Sequence, residues 1–410
     1  MRHVAASKLQ MQPADSALTF APPKRRRLFT EPPTSFEAQA LTDFRARHIA
    51  IILHDFSTGG SERIAIRLAN HWVQMGRRVS LYCGTEQGPA RALVGPGVAV
   101  RCCSPVTVRS PLSRLWLGWR MARLVRQDAP EIVFSPGNFH LFILVFLARR
   151  PYVKRPAFVS KLSNPLRRGA VGQWPRRPID AVMRLAVAPV NMLVAMSPAL
   201  RAEAQAVFPG SRLAQIAEPI LDKGQSARPE PPRSRDAPLI LCAGRLAPQK
   251  DPLTAVRAFA QLPPALGARL IWLGDGPLHR QLVQEISRLG VGDRVAMPGH
   301  VSDIAPYLAR ADLFLLTSRY EGYPAVLVEA IAAGVPVVTT DCTVALQEIL
   351  SSPDLGIVVP ARYPAKLAAA IATQLDRPPP SRESIRRATE HHSLDASAIS
   401  YLALFDRIAR

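Results

Sequence analysis

Two glutamates eight residues apart, Glu321 and Glu329, lie in the segment Ser318-Arg-Tyr-Glu321-Gly-Tyr-Pro324-Ala-Val-Leu-Val-Glu329-Ala-Ile-Ala-Ala-Gly334. An apolar run, Leu313–Thr317, precedes it, and Pro324 suits the first position of a helix, where its fixed φ fits and a missing N–H is harmless. The backbone N–H groups of Tyr323, Ala325 and Val326 are then left without intrahelical acceptors, a setting that favours a diphosphate. Eight residues of helix rise about 12 Å, so the two carboxylates cannot meet on one atom. They can bracket an extended ligand with hydroxyls at each end and phosphates between, and a nucleotide-sugar has that form. A second group, Gly244-Arg245-Leu-Ala-Pro-Gln-Lys250-Asp251, follows another strand-like run and precedes a helix. From there Arg245 and Lys250 can neutralise a departing diphosphate without a metal. Gly274-Asp275-Gly276-Pro277 is weaker, since His279 occupies the sixth position of a G-x-G-x-x-G pattern. In Pro298-Gly299-His300-Val301 the backbone can accept a nucleobase. In His54-Asp55-Phe-Ser-Thr-Gly59-Gly60-Ser61-Glu62 the paired glycines allow close backbone approach at the mouth of a helix.

These groups need a scaffold that presents strand ends. Short apolar runs alternate with amphipathic stretches from His48 onward: strands at His48–Leu53, Val79–Cys83, Glu131–Ser135, Ala157–Ser160 and Asn191–Ala195, with helices at Ser61–Gly76 and Phe139–Arg149. Ser61 suits an N-cap and Gly76 a helix stop. The Pro-rich stretch 222–236 reads as a linker, after which the rhythm restarts at Leu239–Ala243, Leu270–Leu273, Arg294–Met297, Leu313–Thr317 and Val335–Thr339. The expected fold class is α/β, two Rossmann-like doubly wound parallel-sheet domains facing across a cleft. The expected division is a disordered basic arm over 1–47, a first domain over 48–221, the linker 222–236, a second domain over 237–377, and helices over 378–410 packing back across the junction.

Of 410 residues 48% are hydrophobic and 20% charged, a globular composition. The formal charge is +21, and its distribution is uneven: residues 48–218 carry 23 basic and 8 acidic side chains, residues 237–410 carry 17 and 16. A polyanionic surface met by the first domain alone explains that asymmetry. The five cysteines, Cys83, Cys102, Cys103, Cys242 and Cys342, are scattered and odd in number, which points to a reducing compartment. The longest apolar run, Phe139–Ala148, is half the ~20 residues of a spanning helix, and the N-terminus lacks the apolar stretch of a signal peptide. Lys24-Arg25-Arg26-Arg27 reads as part of a disordered basic arm, with nuclear localisation the minor alternative because short basic runs are common. Between Arg114 and Arg126, helical spacing gathers Trp116, Trp119, Arg120 and Arg123 into one neighbourhood suited to anionic headgroups. Trp174-Pro-Arg176-Arg177 adds a second such patch.

Together these residues resemble glycosyltransferase family 4, the retaining nucleotide-sugar enzymes of the GT-B fold, over the chain from about His48 and most strongly over Leu239–Thr340. Glu321 and Glu329 reproduce its E-x7-E motif, Arg245 and Lys250 its phosphate-binding pair, and Gly59–Gly60 its glycine loop. The resemblance implies that Glu321 contacts the transferred sugar, Glu329 the ribose, and Arg245 and Lys250 the diphosphate. His300, Val301, Tyr323, Pro324, Ala325 and Val326 complete the donor site, which takes a UDP- or GDP-linked sugar. It also implies a first-domain histidine near the reacting carbon: His140, with Asn138 as second choice. The implied enzyme is a retaining, metal-independent hexosyltransferase without a cofactor. Its expected partners are a nucleotide-sugar, a lipid-linked or glycan acceptor of bacterial exopolysaccharide or lipopolysaccharide synthesis, and an anionic membrane, with no nucleic acid. The expected location is cytoplasmic, peripheral at the inner face of the cytoplasmic membrane. A nucleotide-sugar epimerase would share the cleft but has no use for a basic acceptor domain. A nucleic-acid-binding or membrane-binding protein on an idle scaffold fits the charge, without any helix-turn-helix, zinc or aromatic RNA-binding signature. No G-x-S-x-G, H-E-x-x-H or P-loop supports a hydrolase or NTPase.

Overall fold

A computed structural model describes residues 44–57, 59–103, 113–163, 176–222 and 237–409. The first series of elements is β1 (His48–Ile52), α1 (Gly60–Gln74), β2 (Arg78–Cys83), β3 (Val98–Cys102), α2 (Ser113–Asp128), β4 (Ile132–Ser135), α3 (Asn138–Ala148), β5 (Ala157–Leu162), α4 (Arg176–Val187), β6 (Met192–Ala195), α5 (Pro198–Val207) and β7 (Leu213–Gln215). The second is β8 (Leu239–Ala243), α6 (Pro252–Phe259), β9 (Arg269–Leu273), α7 (His279–Arg288), β10 (Val295–Gly299), α8 (Ala305–Leu308), β11 (Leu313–Leu316), α9 (Ala325–Ala332), β12 (Val337–Thr340), α10 (Leu346–Ile349), β13 (Gly356–Val359) and α11 (Pro364–Asp376). Helices α12 (Arg382–Thr389) and α13 (Leu394–Ile408) follow.

Among the described residues seven strands pair in the order β3-β2-β1-β4-β5-β6-β7 and six in the order β10-β9-β8-β11-β12-β13, all parallel. Helices cover both faces, so β1, β4, β11 and β12 are buried throughout, which is why they read as unbroken apolar runs. In each sheet the order reverses beside its first strand, between β1 and β4 and between β8 and β11. Ligands of such sheets bind beyond the strand carboxyl ends at that reversal, so topology alone selects the loops after these four strands.

Three strands escape sequence patterning. The outer strand β3 alternates half-buried and exposed residues, β7 has three residues, and β13 is only partly buried. Ser61 is not the N-cap of α1: Gly59 is, in extended geometry (φ −66°, ψ 148°), with the helix starting at Gly60. Gly76 does take the left-handed conformation after the helix, at φ 81°. Pro324 is likewise the N-cap of α9 rather than its first helical residue.

Residues 44–47, assigned to the arm, belong to the folded body. The Arg77 guanidinium lies 3.4 Å from the Phe44 ring centroid and 2.7 Å from Asp406, whose carboxylate also accepts the Ala46 amide at 2.9 Å. The remainder of the arm, including Lys24–Arg27, and linker residues 223–236 lie outside the described residues. Helix α13 packs into the first sheet's core, with Tyr401 and Phe405 set edge-on or tilted against Trp72 and Phe134 at 5.3–5.9 Å. The chain therefore crosses between the domains twice, and the two crossings pair through a parallel bridge, Leu221 with Ser393.

Candidate active site

The second-domain half of the site is built at the β8/β11 reversal. Thr317, just past β11, donates its hydroxyl to the Lys250 and Asp251 carbonyls at 3.0 Å, drawing together the loops that leave the two strands. The turn beyond is pinned on its other side: the Glu321 amide donates to the Cys342 carbonyl at 2.8 Å and the Thr343 hydroxyl to the Gly322 carbonyl at 2.9 Å. Glycine is required nearby. Gly274 has φ 132°, and a Cβ there would stand 2.2 Å from the Gly244 carbonyl oxygen. Gly244 itself has φ 148° and lies under the Lys250 side chain.

In this frame Lys250 Nζ donates to Glu321 Oε1 at 2.6 Å, with side chains 21% and 10% exposed. The family resemblance gives Lys250 to the diphosphate and Glu321 to the sugar, whereas the structure joins the two as an ion pair with no net charge. Arg245 is exposed and forms no ion pair among the described residues, leaving it as the available cation at the strand end. Arg319, which had no assigned role, pairs with buried Asp251 at 3.1 Å. Of the three amides expected free at α9, that of Ala325 donates to the Tyr323 carbonyl at 2.9 Å, because the chain tightens before the helix begins. The amides of Tyr323 and Val326 find no acceptor among the described residues.

Glu329 is half-buried, and its desolvation raises its carboxyl pKa against the opposing pull of Arg63 and Arg67 on α1. It faces a cavity of about 440 Å³ between the domains, lined also by Arg63, Arg67, Ser302, Asp303 and Ile304. The loop after β10 thus meets Glu329 at one space, while His300 itself is exposed and Val301 packs partly on the second-domain core.

The first-domain half behaves less as expected. A Cβ on Gly59 would lie 2.1 Å from Glu62 Oε2, so the room there is filled by a carboxylate rather than left for a ligand; Gly60 faces open space. His140 is fully buried, and its Nε2 accepts the His54 amide at 3.2 Å, which removes that atom from the cleft surface. Asn138 bridges the ends of β4 and β5, accepting the Ser163 amide at 2.7 Å and donating its own amide to the Ser163 hydroxyl at 3.1 Å. Sequence reasoning passed over His54, which follows β1 at the reversal. It is buried, with Nδ1 3.2 Å from Asp55 and Nε2 2.8 Å from the Ser113 hydroxyl. An adjacent His-Asp pair directly after the first strand was the signal that could have marked it.

Trp116 and Trp119 are 56% and 58% exposed and meet edge-on at 6.4 Å. Arg120 lies 6.0 Å from the Trp116 ring, Arg123 is exposed, and Arg114 reaches over Phe139 and Phe142 of α3, both at 5.2 Å. Trp174 lies outside the described residues, as do the Arg176 and Arg177 side chains. Among the described residues no group of His, Cys, Asp and Glu could hold a metal ion, and no helix is long and apolar enough to cross a membrane.

Residues 59–217 match the model of the glycosyl transferase 4-like domain, and residues 237–377 that of glycosyl transferases group 1. The lipopolysaccharide core biosynthesis glycosyltransferase LpsD of Rhizobium meliloti is 25% identical over 87% of this chain and 97% of its own. The exopolysaccharide phosphotransferase SCO2592 of Streptomyces coelicolor is 38% identical over 38% of this chain. The match spans only 17% of that relative, 32% of an uncharacterised glycosyltransferase of Methanocaldococcus jannaschii and 30% of the R. meliloti glycosyltransferase LpsE. Among solved structures, sucrose-phosphate synthase of Thermosynechococcus elongatus superposes with a TM-score of 0.72 at 17% identity, covering 88% of this chain and 99% of its own. HepE of Anabaena, solved with UDP and glucose, superposes at 0.64 with 20% identity over 88% and 97%. With both halves matched by glycosyl transferase models and both sheets shared with those structures, the chain belongs to the GT-B glycosyltransferases, with the sequence pattern of family 4.

Proposed function

We propose that this protein transfers a hexose, with retention of configuration and without a metal, from a nucleotide-diphosphate sugar to a lipid-linked or glycan acceptor of bacterial surface polysaccharide synthesis. The observation that carries the reading is the Lys250–Glu321 pair at the β8/β11 reversal, just before the open amides at the start of α9, the helix whose Glu329 lines the interdomain cavity. In this reading the diphosphate lies on the Tyr323 and Val326 amides, with Arg245 taking its charge and Lys250, held by Glu321, offering it a further N–H donor. Glu329 receives the ribose hydroxyls, the base enters beside Ser302–Ile304, and Glu321 orients the sugar. A front-face route through an oxocarbenium-like state asks little beyond leaving-group stabilisation and positioning, and these groups supply both. His140 acts at one remove, through the His54 loop it supports.

The names of LpsD and other lipopolysaccharide relatives favour a surface-polysaccharide acceptor, and the basic first domain suits an anionic one. The exposed Trp116–Trp119 pair with its arginines would dock that domain, from the cytoplasmic side, on an anionic membrane. The test is a screen of UDP- and GDP-sugars for nucleoside diphosphate release, with and without polyprenyl-diphosphate-linked acceptors. Acceptor-dependent release supports transfer; interconversion of free nucleotide-sugars without an acceptor would instead favour an epimerase.

A further inference from the structure

The donor reading uses the Tyr323 amide and leaves its side chain without a role. That side chain borders two apolar clusters, one in the second domain around Phe314, Leu327 and Val328, the other in the first around Leu141, Leu162 and Leu193. Its hydroxyl lies 2.8 Å from His392 Nε2, with the rings 5.2 Å apart. His392 Nδ1 is 3.1 Å from the Glu218 carbonyl oxygen. A carbonyl only accepts, so Nδ1 carries the ring proton, Nε2 is the acceptor, and Tyr323 donates. Burial holds the imidazole neutral, with its pKa down to about 4.

His392 stands where the two interdomain crossings meet. Its carbonyl accepts the Ile220 and Leu221 amides at 2.9 Å, and the Leu394 amide donates to the Leu221 carbonyl at 2.9 Å. Glu218, at the start of the first crossing, is anchored through its buried carboxylate, 2.7 and 2.9 Å from Lys161 Nζ near the end of β5. Arg67 of α1 holds the same crossing by the Ile220 carbonyl at 2.8 Å and the Asp222 carboxylate. A continuous polar chain, Lys161–Glu218–His392–Tyr323, therefore runs from the first sheet to the turn that opens α9.

We propose that Tyr323 and His392 are positioning residues that lock the diphosphate-binding turn to the interdomain crossings, holding the open amides of α9 in register with the facing domain. The inference rests on the donor site proposed above. A turn fixed by its side chain at both ring and hydroxyl presents its amides already ordered, and ordering before binding is what raises affinity. The same tie carries any relative shift of the domains to the phosphate site.

The test compares the wild-type chain with Tyr323→Phe, His392→Asn and the double variant. Asparagine can still donate to the Glu218 carbonyl but cannot reach Tyr323. Titration with UDP and with GDP should show affinity about tenfold weaker in each single variant, the scale of one buried hydrogen bond, and no weaker in the double. Affinity within twofold of wild type, with only the melting temperature lowered, would assign the pair a purely structural role and overturn the inference; additive losses would overturn it as well. If wild-type protein binds neither nucleotide, the donor reading fails by itself. Hydrogen exchange at the Gly322, Tyr323, Ala325, Val326 and Leu327 amides then decides the tie: faster exchange in both single variants supports it, and unchanged exchange refutes it.

Discussion

Replacing Lys250 with alanine separates the two parts played by the Lys250–Glu321 pair. The sequence reading expects Lys250→Ala and Glu321→Gln alike to abolish transfer with thermal unfolding close to wild type. The 2.6 Å contact changes the stability expected of Lys250→Ala. Removing one partner of a fully buried pair costs about 3–5 kcal/mol because the other charge is stranded, whereas an exposed pair contributes less than about 1 kcal/mol. Glu321 is 10% exposed and Lys250 21%, so the loss in Lys250→Ala should be about 2 kcal/mol, lowering the midpoint of a chain this size by roughly 3 °C. Glu321→Gln keeps an oxygen for Lys250 to donate to and strands only the better-solvated lysine, so its loss should stay under about 1 kcal/mol. Adding Glu321→Gln to Lys250→Ala removes the stranded carboxylate and should recover most of the midpoint. Turnover should fall about 10²–10³-fold in each single variant, the scale for one charge-stabilising group. Nucleoside diphosphate release and scanning calorimetry on the same preparations give both numbers. A double variant that melts below Lys250→Ala, or either single variant with wild-type turnover, would refute the assignment.

Turnover should survive EDTA; loss that Mn²⁺ restores would overturn the metal-free reading. Co-sedimentation with anionic liposomes should occur at low salt and weaken at high salt, since basic side chains near an anionic leaflet each contribute roughly 1 kcal/mol. Trp116→Ala/Trp119→Ala should lower it several-fold without changing the melting midpoint, because both rings are exposed; equal partitioning onto neutral vesicles would count against docking. His392 should make folding acid-sensitive. Its folded pKa, about 4, lies below the ordinary 6.5 through burial, with the Glu218 carbonyl opposing and His391 assisting the shift. Stability from this group is therefore complete above pH 6.5 and lost as pH falls through 4, by roughly 3 kcal/mol in all. His392→Asn should flatten that slope between pH 6.5 and 4, and an unchanged slope would place the sensitivity elsewhere.

The local pattern of the chain was enough for the central strands and the alternation of elements, though not for the helix caps, where α1 is capped at Gly59 rather than Ser61 and α9 at Pro324 itself. Apolar runs marked the buried central strands such as Leu239–Ala243, and the spacing of Glu321 and Glu329 marked one helix start with a carboxylate on either side. Outer strands such as Val98–Cys102 left no pattern, since residues half in solvent are not held to one composition. What tertiary structure alone decided concerns pairs far apart in the chain. Lys250 meets Glu321 only because β8 and β11 are neighbours at the strand-order reversal. His140 is buried beneath the His54 loop because β1 and β4 adjoin. Helix α13 completes the first domain's core although it follows the second in sequence, and that return brings His392 to Tyr323. A side chain's type and spacing declare which chemistry it can perform, but whether its polar atoms face solvent, a ligand or another residue is set by contacts across the fold that no local pattern encodes.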